Sequence, residues 1–166
     1  IINGTYGIGA LSETLLEVSG NVIENMTLAG FAAANLIENA SLTHNRIDHC
    51  GYRPPTPALG AIAATPSIGA GFFIVSVLVN LTVESCQVIN TGISQQGEVA
   101  QGSTLWGIAI GLVLACQINQ NKVFYTNLDS LANIDLSPVH RALLIVGWLS
   151  SSDSDIRYPL LGNALV

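Results

Sequence analysis

Acid–base chemistry on a sugar needs paired carboxylates, or a carboxylate with a histidine, held at a defined separation on one surface. The densest grouping of that kind in this chain is His44, Asp48 and His49. Glu24, Lys122 and Arg157 fall at similar or adjacent positions of a repeated pattern set out below. The candidate catalytic residues are therefore Asp48, His49 and Arg157. In the column that holds Glu24, Asp48 and Arg157, however, Ile89 and Phe124 stand between the last two. A charged patch interrupted in this way reads more simply as outward-facing polar surface, so no catalytic set is assigned. Tyr52, Arg53, Trp106, Tyr125 and Tyr158 are the candidate ligand-binding residues, because aromatic rings with polar neighbours stack on sugar rings. Trp106 ends a loop and is expected to be exposed, whereas Trp148 lies in an apolar run and reads as core.

Metal chemistry finds less support. Asp129, Asp135, Asp153 and Asp155 are the acids that raise calcium, but no D-x-D-x-D-G loop gathers the six to eight oxygens the ion takes. The cysteines, Cys50, Cys86 and Cys116, form no C-x-x-C pair and are odd in number, so they read as small buried hydrophobes. G-x-S-x-G, P-loop, dinucleotide and H-E-x-x-H patterns are absent. No metal or cofactor is expected.

Composition narrows the partners. One Lys and four Arg stand against eleven acids, for a net charge of -6. That balance speaks against nucleic-acid phosphate, which needs a basic face, and against anionic lipid. Residues 54–83 and 99–121 carry no charge. Pro54, Pro55, Pro57 and Pro66 break the first stretch, and the apolar part of each is shorter than the ~20 residues of a spanning helix. No signal peptide is visible, and the abrupt start and stop read as a domain cut from a larger secreted, surface or particle-associated protein.

What positions these residues is an internal repeat. Rows begin at Gly7, Gly30, Gly71, Gly107 and Arg141. Aligned on Asn21, Asn45, Cys86, Asn121 and Ser154, the position two later holds Ile23, Ile47, Val88, Val123 and Ile156. Three before the anchor stand Val18, Leu42, Val83, Ile118 and Ser151, and five before it Leu16, Ala40, Leu81, Cys116 and Leu149. Short strands with alternate side chains inward, stacked so that equivalent residues touch, turn such columns into spines of buried methyl groups. Asn suits the corners because it tolerates left-handed backbone angles. Asn21 and Asn45 are the closest pair of successive anchors, and every later interval is longer. Their separation makes a bare coil about 24 residues long, within the range of solenoid repeats. The surplus of the later rows collects at one point of the repeat, in residues 52–70, 93–106 and 128–140. In a solenoid such insertions share one edge, often the binding face.

Asn21-Val-Ile-Glu-Asn25 and Asn45-Arg-Ile-Asp-His49, with the glycine-hydrophobe starts Gly30-Phe31, Gly71-Phe72 and Gly107-Ile108, resemble the repeats of the right-handed parallel β-helix, or pectate-lyase-like, superfamily. The resemblance implies an all-β solenoid of five coils, forming one domain over residues 1–166, with long loops at one corner. It also implies a short list of functions. The first is a non-catalytic scaffold that binds polysaccharide or another protein chain through its loop edge. The second is a polysaccharide lyase or hydrolase, since enzymes of that superfamily set acidic and basic residues in a groove across neighbouring coils. The third is an element that self-assembles through its coil ends.

Overall fold

A computed structural model describes residues 1–52, 68–97, 104–111, 113–124, 126, 139–145, 160–161 and 164–165. It is all-β: among these residues there is no helix, and hence none long and apolar enough to cross a membrane. Twelve strands run in chain order: β1 (Ile2–Leu11), β2 (Leu15–Ser19), β3 (Val22–Thr43), β4 (Arg46–Asp48), β5 (Ile68–Glu84), β6 (Gln87–Ile89), β7 (Thr104–Ile110), β8 (Val113–Asn119), β9 (Lys122–Phe124), β10 (Val139–Ile145), β11 (Leu160–Leu161) and β12 (Ala164–Leu165). They form one sheet, and every pairing between them is parallel.

The sequence columns are the register of this sheet. Ile23 pairs with Ile47, Ile47 with Val88, and Val88 with Val123. Val18, Leu42, Val83 and Ile118 follow one another in the same way, as do Leu16, Ala40, Leu81 and Cys116. Ile23, Ile47, Val88 and Val123 are all buried in the main core, with Leu42, Val83 and Ile118 beside them. Each row bends back on itself until its start meets its end. A Cβ on Gly7, Gly30 or Gly71 would collide with Ile23, Ile47 or Val88 of the same row. Glycine opens each row because the β-branched spine from the opposite wall fills the space a side chain would take. This contact brings the parallel sheet nearly to closure.

Two corner columns take left-handed backbone. Gly20, His44, Ser85 and Gln120 form one, and Asn3, Asn25, His49 and Asn90 the other. Asn is the side chain that carries that strain most cheaply. The anchor asparagines turn inward. Asn45, only 1% exposed, accepts through Oδ1 from the Asn21 backbone N–H at 3.1 Å and donates to the Val18 carbonyl at 2.8 Å. Asn121 repeats the arrangement on Cys86 N–H at 2.9 Å and the Val83 carbonyl at 2.9 Å. These bonds satisfy main-chain groups that the turn takes out of the regular ladder.

Two points of the sequence register are corrected: the frame of the last row, and the expectation that the columns run without gaps inside each row. The last row does not align on Ser154: Leu160 pairs with Ile118 and Leu165 with Val123. Leu143 pairs with Ile108, so the step from Leu143 to Leu160 in the last row answers the shorter step from Ile108 to Ile118. The last row therefore carries extra chain before β11. The apolar pattern allowed the wrong frame because Ile156 mimics the β-branched column. In the fourth row Ile74 pairs with Ile110 but Leu78 with Val113, a one-residue slip at Gly111. The long insertions lie between β4 and β5, β6 and β7, and β9 and β10. Strand pairing resumes at Ile68, Thr104 and Val139, slightly before the expected row starts at 71, 107 and 141.

Candidate functional site

The residues nearest the insertion corner form a chain of polar contacts across three rows. Arg46 and Asp48 are two apart on β4 and share a face. Arg46 Nη2 donates to Asp48 Oδ2 at 2.7 Å. His49, turned by its left-handed backbone (φ 50), brings Nδ1 within 2.7 Å of Asp48 Oδ1. This is a close polar contact without the alignment of a hydrogen bond, and Oδ1 is otherwise buried and unsatisfied. On the next row, the Thr126 backbone N–H donates to Asn90 Oδ1 at 2.9 Å, and Asn90 Nδ2 donates to Thr126 Oγ1 at 2.9 Å. The amide orientation so fixed turns Nδ2 toward His49 Nε2 at 3.3 Å.

This arrangement bears directly on acid–base chemistry, which needs a proton-transfer atom free to reach substrate. His49 Nε2 is faced by the Asn90 amide, and the Asp48 charge is met by Arg46. Glu24 is in register with Asp48 on the neighbouring row, and Ile89 and Phe124 follow, as the column requires. Asp48 and His49 are thus brought together, with side chains 11% and 24% exposed. Arg157 lies outside the described residues, and the register of Leu165 opposite Val123 removes the reason for aligning it with Asp48. Asn90 stands four after its anchor Cys86, as His49 does after Asn45, so the repeat could have found it; sequence reasoning missed Thr126 and Arg46 as partners. The spacing Arg46-x-Asp48 was the available signal for one; nothing marked Thr126.

The candidate ligand-binding residues separate. Tyr52 is half-buried. Trp106 is only 6% exposed and packs with Ala70 and Ala109 in a small cluster apart from the main core, so the exposure expected of it is not found. Arg53, Tyr125 and Tyr158 lie outside the described residues, as does Trp148. Among the described residues no group of three His, Cys, Asp or Glu side chains gathers to hold a metal ion. Cys50 and Cys86 are free, buried thiols. Burial pushes the Cys50 thiol up to about 12 and raises that of Cys86 as well, so neither supplies a thiolate nucleophile near neutral pH. Comparison of the chain with family models, with curated proteins and with solved structures gave no match.

Proposed function

We propose that the chain is a right-handed parallel β-helix and serves as a non-catalytic scaffold whose insertion-bearing corner is its binding edge. One observation carries the reading. Three long insertions leave the sheet after the equivalent strands β4, β6 and β9, the extra chain before β11 standing apart from them, while the polar groups beside that corner are engaged with one another. Burial in columns accounts for the regular rows, and the insertions stand outside those columns. The ligand that suits this edge is a neutral or weakly charged glycan of a cell or particle surface, met outside the cell. The net charge of -6 sets nucleic acid and anionic membranes aside.

A test is binding to an array of immobilised polysaccharides, by the whole chain and by a variant with residues 53–67 replaced by a two-residue link. Binding by the whole chain that the variant loses, at unchanged far-UV circular dichroism, is the expected result. Equal binding by both would remove the edge from its role. A second reading, a polysaccharide lyase or hydrolase, draws on the 2.7 Å Asp48–His49 contact and the neighbouring Glu24. Release of new reducing ends or unsaturated products, abolished by Asp48→Asn and His49→Ala, would replace the scaffold reading with this one.

A further inference from the structure

Asn90 stands between two partners that make opposite demands on it. On one side the Thr126 backbone N–H donates to Asn90 Oδ1 at 2.9 Å, a bond that runs only one way, and Asn90 Nδ2 donates to Thr126 Oγ1 at 2.9 Å. Nδ2 is therefore the atom turned toward His49 Nε2, at 3.3 Å. A neutral imidazole can meet that amide hydrogen with a lone pair on Nε2. An imidazolium carries hydrogen on both ring nitrogens and meets it donor to donor.

The ring is held on its other side. Its Nδ1 lies 2.7 Å from Asp48 Oδ1, and Asp48 is itself held by Arg46 at 2.7 Å. The remaining neighbours carry little charge. β3 brings Glu24, in register with Asp48, and Asn25, which shares the left-handed corner column with His49 and Asn90. β6 brings Ile89 opposite Asp48, and β9 brings Phe124 beyond it. Lys122 stands two rows from Arg46 in the same column. The Cys50 thiol next in the chain is pushed up to about 12 by burial and stays neutral where imidazoles titrate. A protonated His49 keeps its attraction to Asp48, so the ring stays and the amide must answer. Half a turn of that amide presents Oδ1 to the imidazolium but sets Nδ2 against the Thr126 N–H. The proton on Nε2 and the hydrogen bond from Thr126 therefore exclude each other.

We propose that His49 is a proton-driven switch: its protonation turns the Asn90 amide and releases the main chain at Thr126, two residues beyond the end of β9. The corner then has two states, an amide bonded to Thr126 and an amide bonded to the imidazolium, and pH sets their balance. The switch needs only the contacts between neighbouring rows. It does not depend on what the corner binds.

Nuclear magnetic resonance on the whole chain, titrated over roughly pH 8 to 5 where histidine changes charge, tests it. The Thr126 backbone amide proton should move upfield in step with the His49 ring protons. Its hydrogen exchange, corrected for the intrinsic effect of pH, should quicken roughly five- to tenfold, the worth of one ordinary hydrogen bond. His49→Asn places at this corner the residue that stands there in the rows on either side, and should keep Thr126 protected across the range. Asn90→Ala should leave Thr126 unprotected at both ends of it. A His49 ring that titrates while Thr126 stays unmoved overturns the switch, as does a ring that takes no proton over this range. A Thr126 step that survives in His49→Asn assigns the response to another group and overturns it equally. The titration of the unaltered chain decides the matter even where a variant fails to fold. No ligand enters these measurements, so their failure leaves the scaffold reading standing, and loss of glycan binding by the loop-deleted chain leaves the switch untouched.

Discussion

At the scale of single residues, two requirements dominate: no side chain where a row starts, and a backbone-binding amide where it turns. Gly30→Ala sets a Cβ against Ile47 and near the Gly71 carbonyl, at 3.1 Å. It should cost about 1–3 kcal/mol, the usual penalty for overpacking, read as a fall in the urea midpoint. Gly9→Ala meets nothing within 4 Å and is the matched control, expected to leave the midpoint unchanged. Asn45→Ala strands the Asn21 N–H and the Val18 carbonyl it now satisfies, and should cost about 1–3 kcal/mol. The buried thiols give a pH dependence of definite sign. Below about 9, the ordinary thiol value, folded and unfolded chains both hold the proton. Above it the unfolded chain releases the Cys50 proton first, while burial keeps the folded thiol protonated up to about 12. Stability therefore falls as pH rises through that window. Alkylation of Cys50 should be slow in the native chain and fast in urea, and the Cys50→Ser variant should lose part of the alkaline slope.

At the scale of elements, the short strands β4, β6 and β9 matter most, because they carry the spine inward and the polar chain outward. Their inner residues Ile47, Val88 and Val123 are buried at 0, 0 and 4% exposure. Ile47→Ala should cost about 2–5 kcal/mol. β3 passes from Glu24 to Ala29 with no insertion and still pairs on both sides, so the insertion between β4 and β5 is expected to be dispensable for the rows. Replacing residues 53–67 by a short link should leave Tm within about 4 °C, the shift that 1 kcal/mol makes in a chain of this size. The polar chain itself was only half legible. Asp48 and His49 are neighbours in sequence and announced themselves. Asn90, which faces His49, and Thr126, which bonds Asn90, are brought in by stacking from one and two rows further along the chain, where no local pattern points.

At the scale of the whole molecule, the described strands pair with those of adjacent rows, so stability is expected to accumulate row by row. Amide exchange should be slowest in the parts of β3 and β5 paired on both sides and fastest along β1 and β2, paired on one. Nearly all contacts join residues far apart in the chain, which places folding in the slow range of ms to s expected for non-local β topologies; stopped-flow refolding reads this directly.

The sequence by itself determined the all-β class, the inward columns and the position of the insertions, because burial writes a periodic constraint into every row that stacks. It did not determine the frame of the last row or the slip at Gly111, because an apolar column accepts any large aliphatic residue and Ile156 fits as well as Leu165. Nor did it determine whether Asp48 and His49 are free to act. That depends on the contacts Arg46 and Asn90 make and on which way an amide points, and only the tertiary structure decides it, since a shared column brings side chains near one another without fixing their orientation.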